Sequence, residues 1–222
     1  EIIPPGITAR IRNIQVHGND LPEASAGQRV ALNLSGLEKE QALRGSIACA
    51  PGYYRPTSLV DVSVQLLSDS LRSVKNLDPV HLYLGTARVV ARLLLLDREE
   101  LLPGEKGFAQ CRLEHPLGAE RRDRFIIRSY SPMATIGGGI ILDPFPGRHR
   151  RFRQPVLQQL KELEQELVTG GDRIFVLKQL DELKMSNFTR LEKATRLSAS
   201  SLESILKAME LSGQVIKIGE SF

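Results

Sequence analysis

Cysteine is scarce in this sequence, and tryptophan is absent from it. The two cysteines, Cys49 and Cys111, are too few for a disulfide framework, and they lie 62 positions apart, so they form no C-x-x-C metal motif. We therefore predict no metal site and interpret both thiols as core or strand residues. A protein of this kind is expected in the reducing cytoplasm.

Long apolar runs are also missing. One of the longest, Leu93 to Leu96, is followed at once by the charged sequence DREE, whereas a membrane-spanning helix needs roughly 18 or more apolar residues. The first residues, EIIPPG, carry neither the basic nor the apolar segment of an export signal. These absences predict a cytoplasmic protein with no membrane partner.

The motifs of common catalytic and nucleotide-binding sites do not occur. No G-x-x-x-x-G-K-[ST] loop exists, because no lysine in the chain is followed by serine or threonine. H-E-x-x-H and G-x-S-x-G are absent as well, and the four histidines, at positions 17, 81, 115 and 149, are far apart in sequence. We predict no catalytic residue and no cofactor in this chain, which by itself is not expected to be an enzyme.

Three successive glycines, Gly137 to Gly139, leave two interpretations. A dinucleotide-binding glycine loop follows a strand and opens a helix, whereas Gly139 leads into the strand-like sequence IILD. Close backbone packing in a barrel is favoured, because a glycine in a strand marks a place where another backbone approaches.

The first two thirds of the chain have the alternating pattern of β-strands. The stretches 30–34 and 60–66 place an aliphatic residue at every second position. Between Ile11 and Ile14 the alternation slips by one residue, which predicts a bulge near Asn13. Turn sequences such as LPGEKG separate further apolar runs, a spacing typical of a sandwich or barrel. These runs lie at 80–84, 86–96, 107–113, 124–129 and 139–142.

After Arg153 the pattern changes to that of helices. Pro155 suits a first helical turn, and the apolar residues of VLQQLKELEQEL lie near one face of a helix that TGGD ends. Three shorter helices are predicted at 173–184, 187–194 and 200–212, the last with Ser200 and Glu203 at capping-box spacing. A turn and a strand in SGQVIKIG would follow, and this order is typical of a winged helix.

A basic tract stands between the strand-rich and helical parts. It consists of Arg148, Arg150, Arg151 and Arg153 in FPGRHRRFR. The net charge of +4 permits an anionic partner without requiring one. Because guanidinium groups pair with phosphates, the tract is a candidate for RNA-phosphate contacts. The alternative is a solvated or ion-paired brace at the joint, and the sequence leaves this choice open.

The residues of two stretches resemble elongation-factor-Tu-like translational GTPases. AGQRVALNLSGLEKEQALRG is similar to the second domain, whose pattern is A-G-x-x-V-x-x-x-L-x-G-(I/V/L)-x-(R/K)-E-x-(I/L)-x-R-G. The sequence from PVHLYLG to IILDP looks like the third domain. QVHG, SPMATIGGG and LDPFPGRHRRFR are most similar to the bacterial selenocysteine-specific members of the family.

This resemblance implies a multidomain fold, mainly β and then α. It would contain two antiparallel β-barrels of translation-factor type, the first truncated, followed by a winged-helix domain. Residues 1–52 would be the partial second-domain barrel and 57–146 the third-domain barrel. Residues 147–222 would be a linker helix and the first winged helix.

The resemblance also implies a function. Family members of this kind deliver selenocysteinyl-tRNA to the ribosome at recoded UGA codons, and this chain would supply barrels that bind the aminoacyl-tRNA. Later winged helices of the family bind the selenocysteine-insertion hairpin of messenger RNA, and this chain would hold the start of that arm. GTP and Mg²⁺ belong to the family's GTPase domain, which we do not find in this sequence.

Five residues are candidate tRNA contacts by this resemblance. His17 in QVHG and Arg29 in AGQRV match positions that form the aminoacyl pocket, where a cation would favour a selenolate. Arg128, Ser129 and Tyr130 match the region that contacts the T arm of tRNA.

Two other classes of function remain open. One is a winged-helix nucleic-acid-binding regulator fused to a β-rich effector module, which usually exposes Arg, Lys, Asn or Gln along its third helix. Here SSLESILKAMELSG offers only Lys207 against Glu203 and Glu210, which weakens that alternative. The other is an enzyme with an unrecognised site, which would require convergent ionisable groups in a pocket.

Overall fold

The computed structural model describes residues 1–219 and 221–222, and it divides into two compact units. The first is Glu1–Arg148 and the second is His149–Phe222. Strands make up the first unit and helices the second, which confirms the predicted order of mainly β and then α.

The first strands form two small sheets. These strands are β1 (Ile2–Ile3), β2 (Arg10–Val16), β3 (Asn19–Leu21), β4 (Val30–Ser35) and β5 (Ile47–Ala48), with a short 3₁₀ turn at Lys39–Gln41. The order β3-β2-β4 makes a three-stranded antiparallel sheet, and β1 pairs with β5. The register between β2 and β4 shifts between Ile11 and Asn13, which confirms the predicted bulge.

The next strands build a closed barrel. The strands that follow are β6 (Pro56–Leu66), β7 (Val74–Lys75), β8 (Pro79–Leu84), β9 (Ala87–Leu95), β10 (Glu100–Leu101), β11 (Lys106–Gly118), β12 (Arg124–Ser129) and β13 (Thr135–Asp143). Six of them close in the order β11-β6-β13-β12-β8-β9, with every neighbouring pair antiparallel. The short strands β7 and β10 pair with each other.

Alternation explains the interior of the barrel. Val60, Val62 and Val64 of β6 are buried together with aliphatic residues of the other five barrel strands. Cys111 of β11 belongs to the same core, as predicted. Burial, with a smaller contribution from the Asp61 carboxylate, raises the pKa of the Cys111 thiol well above its ordinary value. This thiol is therefore an inert core group.

The three glycines lie in β13, between β6 and β12. A Cβ atom on Gly139 would collide with the backbone oxygen of Ser63, and one on Gly137 would collide with that of Gln65. On the other side, a Cβ on Gly138 would lie 2.5 Å from the backbone oxygen of Phe125. The structure confirms close backbone packing, and the glycines lead into a strand rather than a helix.

Glycine also joins the N-terminal strands to the barrel. Gly45 has a φ of +95°, and a Cβ added to it would lie 2.6 Å from the Cα of Ala87. The neighbouring Arg44 donates from Nε to the carbonyl of Thr86 at 3.2 Å. Arg44 and Gly45, which match the R-G at the end of the second-domain pattern, therefore pack against the turn between β8 and β9.

A buried polar group fixes the chain where it leaves the barrel. Gln110 and Asp61 face each other across β11 and β6, and both are fully buried. The amide of Gln110 donates to Asp61 Oδ1 at 2.8 Å and to the carbonyl of Gly147 at 2.9 Å. Because an unpaired buried amide is costly, these bonds hold the segment after β13 against the barrel.

The second unit contains four helices. They are α1 (Gln154–Thr169), α2 (Arg173–Leu183), α3 (Phe188–Thr195) and α4 (Ala199–Leu211). Pro155 lies in the first turn of α1, and Gly170 ends that helix with a φ of 77°. Val176, Leu191 and Leu202 bring the three later helices into one apolar core. All four predicted helices are thus confirmed.

Two local predictions for this unit are wrong. The cap of α4 is Ser198, whose side chain accepts from the Ser201 N–H, rather than Ser200. In the described residues after α4, the predicted strand is reduced to isolated bridges of Ser221 with Ile218 and Asn187. The apolar sequence VIKI has no neighbouring strand there to complete a ladder, and Ile216 and Ile218 are exposed.

Candidate nucleic-acid interface

A group of basic and aromatic side chains covers one part of the barrel's outer face. It consists of His81 and Tyr83 on β8, Arg88 on β9, Arg128 on β12 and Tyr130 just beyond β12. We call these five residues the arginine–aromatic surface. They share the outer face because their strand neighbours Leu82, Val89 and Ile127 point into the core.

Strand register brings these residues together. His81 is the cross-strand partner of Arg128, and Tyr83 is the partner of Arg88. The guanidinium of Arg88 lies 6.0 Å from the centre of the Tyr83 ring, and that of Arg128 lies 5.9 Å from the same ring. Tyr83 therefore holds two cations close together on the surface.

The His81 ring connects the two halves of this surface. It stacks on the Tyr130 ring, with centroids 5.1 Å apart and planes 16° apart. Its Nε2 lies 3.3 Å from Nη2 of Arg88. Burial, followed by the charges of Arg88 and Arg128, lowers the pKa of His81, while Glu114 acts in the opposite direction. His81 is therefore neutral at neutral pH.

The loop after β12 is shaped by Ser129. The Ser129 side chain is buried, and its hydroxyl donates to the carbonyl of Pro132 and accepts from the Ala134 N–H at 3.0 Å. Arg128 donates from Nη2 to the carbonyl of Met133 at 3.3 Å, and Tyr130 is exposed. Of the three T-arm candidates, Arg128 and Tyr130 thus reach the surface, whereas Ser129 folds the loop that presents them.

His17 and Arg29 lie at one end of the three-stranded sheet. Val16 of β2 pairs with Val30 of β4 in the last pair of this register, and His17 and Arg29 are the residues next to that pair in sequence. Both side chains are exposed, and His17 has a φ of 52° in the turn before β3. The structure therefore places both pocket candidates at the same end of the three-stranded sheet.

The basic tract crosses the border between the two units. Arg148, Arg150 and Arg153 are exposed, and Arg151 lies over the Phe152 ring at 4.7 Å. Arg153 is the N-cap residue of α1, whose first turn contains no acidic residue. A cation at a helix N-terminus opposes the helix dipole, so this arrangement adds positive potential that an anion would neutralise.

Three members of the arginine–aromatic surface were not predicted. His81, Tyr83 and Arg88 lie about 40 or more positions before Arg128 in sequence, and only barrel closure joins them to it. A signal was present, because PVHLYL alternates aliphatic residues with His81 and Tyr83. That pattern marks the two rings as outward-facing.

The barrel also matches a known family. The family described as "Selenocysteine-specific elongation factor, beta-barrel domain" matches residues 60–148, which hold all six barrel strands from Val60 onwards. The barrel of this chain is therefore similar to that of the selenocysteine-specific elongation factors. This match confirms the resemblance on which the candidate tRNA contacts were chosen.

Individual relatives agree with this assignment. A selenocysteine-specific elongation factor of Desulfomicrobium baculatum is 39% identical over 151 residues, which cover 68% of this chain and 24% of the relative. Those of Haemophilus influenzae and Escherichia coli are 30% and 28% identical over 66% and 69% of this chain, and 23% of each relative is covered. The chain thus spans about a quarter of the length of these relatives.

Among the residues that the structure describes, His, Cys, Asp and Glu form no group of three or more that could hold a metal ion. Within the same residues, no helix has both the length and the apolar character that crossing a membrane requires.

Proposed function

We propose that this chain is the aminoacyl-tRNA-binding part of a translation elongation factor that delivers selenocysteinyl-tRNA to the ribosome at recoded UGA codons. The arginine–aromatic surface carries this proposal, because it places Arg88, Arg128 and Tyr130 on the barrel that matches the family. Guanidinium groups bind phosphates, and exposed aromatic rings are common in RNA-binding surfaces. GTP hydrolysis and its Mg²⁺ are assigned to no residue of this chain.

Residues 1–52 fit a partial second-domain barrel, and 57–146 fit the third-domain barrel. Support for the truncation comes from the three-stranded sheet, whose apolar residues Ile11, Leu21 and Leu32 are 51%, 40% and 38% exposed. A sheet face of this kind normally packs on further strands.

Residues 147–222 fit a linker helix followed by the first winged helix of the arm that reaches the messenger hairpin. The common core of α2, α3 and α4 supports this proposal. On α4 the exposed charged residues are Glu203 and Lys207, which argues against reading DNA with this helix. A winged-helix regulator is therefore disfavoured. We propose instead that the arginines of the basic tract contact RNA phosphates; they are Arg148, Arg150, Arg151 and Arg153.

The T-arm contact can be tested by removing two charges from the arginine–aromatic surface. We expect Arg88→Gln with Arg128→Gln to weaken tRNA binding by about tenfold or more and to reduce the salt slope by about two, because each phosphate contact releases counterions. Fluorescence anisotropy with labelled tRNA at several salt concentrations measures both quantities.

The matched control removes two exposed arginines from the three-stranded sheet instead, as Arg10→Gln with Arg12→Gln. This variant loses the same net charge, so a purely non-specific attraction would weaken equally in both double variants. Equal losses would refute the assignment of the T arm to the barrel surface.

The aminoacyl pocket predicts a change in selectivity. A selenol ionises more readily than a serine hydroxyl, so a cation at Arg29 would favour the selenolate, and His17 would add a donor. We expect Arg29→Ala, in a full-length factor carrying these residues, to reduce the preference for selenocysteinyl- over seryl-tRNA by about tenfold, while Arg29→Lys retains most of it. Competition binding of the two tRNAs measures the ratio of their affinities. An unchanged ratio in Arg29→Ala would contradict the assignment of Arg29 to the pocket.

A further inference from the structure

The protonation of His81 is constrained by its neighbours. Its Nε2 faces the guanidinium of Arg88 at 3.3 Å, and a guanidinium can only donate. The neutral ring therefore accepts at Nε2 and carries its proton on Nδ1. Within the described structure that Nδ1 is buried without a hydrogen-bond partner. The ring is only 8% exposed, and protonation would give it a second donor, Nε2–H, facing the Arg88 guanidinium.

Burial is the largest cause that disfavours a positive His81 ring, and charged groups on three other strands act on the ring as well. Arg88 on β9 and Arg128 on β12 both disfavour a positive ring, and Glu114 on β11 favours it. Tyr83 lies beneath the two guanidinium groups, and Tyr130 stacks on the ring. In the free protein, two cations thus disfavour the protonation of His81, and one carboxylate favours it.

We propose that Arg88, Arg128 and His81 form a single phosphodiester site in which His81 takes up a proton when an RNA phosphate binds. The inference rests on the proposed function, since RNA supplies the phosphate. A bound phosphate cancels the repulsion from the two guanidinium groups. The proton comes from solvent and goes to Nε2, and Nε2–H then donates to a phosphate oxygen as the Arg88 guanidinium turns to the same anion.

The sign of the pH effect follows from linkage. In the free protein the pKa of His81 is below its ordinary value of 6.5, and a bound phosphate moves it upward. RNA affinity therefore increases as pH falls through the pKa of the bound state, and it stops increasing below the pKa of the free state. The gain in RNA affinity disappears at high pH, where His81 is neutral in both the free and the RNA-bound protein.

The test measures binding of a short labelled RNA duplex to the whole chain at about pH 5.5 and about pH 8, on either side of the ordinary histidine range. We expect the native chain to bind about tenfold more tightly at the lower pH. His81→Gln should lose most of this gain at low pH, whatever its affinity at high pH. His115→Gln, which removes an exposed histidine of β11, should keep the native gain.

A second measurement uses the native chain, so its result does not depend on whether the His81→Gln variant folds. Nuclear magnetic resonance follows the His81 ring with and without the duplex, and we expect its midpoint to move to higher pH with RNA. A midpoint that stays in place, or an equal pH gain in His81→Gln and native chain, would overturn the inference while leaving the proposed function intact. Failure of the native chain to bind the duplex at either pH would remove both.

Discussion

Replacing Gly139 with alanine is expected to lower the free energy of unfolding by about 3 kcal/mol or to prevent folding of the barrel. The added Cβ would collide with the backbone oxygen of Ser63 and would lie 2.8 Å from the Phe125 ring. Ser63 belongs to β6 and Phe125 to β12, and β13 is hydrogen-bonded to both strands. Because a backbone oxygen in a closed barrel cannot turn away as a side chain can, the strands themselves must separate.

Thermal and urea unfolding of the native and variant chains measure this loss. Gly147→Ala is the matched control, because a Cβ there meets nothing within 4 Å and the residue does not need a positive φ. It changes the same residue type just beyond the same strand, and we expect its effect to be within about 0.5 kcal/mol of zero. If the two variants unfolded at the same urea concentration, tight packing would not be the reason for the glycine at position 139.

The barrel was predictable because its signals are local. Alternation in a strand such as β6 has a period of two, and a residue's face follows directly from it. The same rule applies to β12, where Phe125 and Ile127 are buried. It places Ser129 inside and Arg128 and Tyr130 outside, so the division among the T-arm candidates could have been predicted from sequence alone.

The arginine–aromatic surface was harder to predict because it depends on register. Arg88 meets Tyr83 through the β8–β9 hairpin, which sequence proximity makes accessible. His81 meets Arg128 only because β8 lies beside β12 when the barrel closes. Strand order is a property of the whole fold, and a single strand's pattern does not contain it.

In the helical unit, the sequence predicts the presence of the helices but not the residues at which they begin. Apolar spacing identifies α4, whereas Ser198, Ser200 and Ser201 are all residues that favour a cap position. The choice of Ser198 depends on where the backbone turns, since Ser198 keeps the extended conformation with a ψ of 147°. Cap chemistry alone therefore left the start of the helix uncertain by two residues.

Glu166 is a second residue whose role depends on tertiary structure. It lies on the apolar face of α1 with Leu160 and Leu163, and it is buried. Its Oε1 accepts the Ile174 N–H at 2.6 Å, and its Oε2 accepts the Phe175 N–H at 3.2 Å. These are N–H groups of the first turn of α2, where the N-cap residue Asp172 makes no side-chain capping bond. Glu166 therefore caps α2 from the preceding helix.

We expect Glu166→Ala to destabilise the helical unit by about 3 kcal/mol, because two buried N–H groups lose their acceptors and the negative charge at the positive end of α2 is lost. Glu166→Gln keeps the shape and one acceptor oxygen, so its loss should be about half as large. Thermal unfolding followed by circular dichroism gives the stability. Hydrogen exchange of the Ile174 and Phe175 amides locates the change.

Glu162→Ala supplies the control, since it removes a half-buried carboxylate one turn earlier on the same helix, where Glu162 accepts from the exposed Gln158 amide at 2.7 Å. A capping role predicts that exchange at Ile174 and Phe175 accelerates in Glu166→Ala and remains native-like in Glu162→Ala. If both variants lost stability equally, the carboxylate would be acting only through its charge. Loss of stability in Glu166→Ala with native exchange at these two amides would instead assign Glu166 to packing against Gly171, where a Cβ would lie 3.2 Å from Glu166 Cγ.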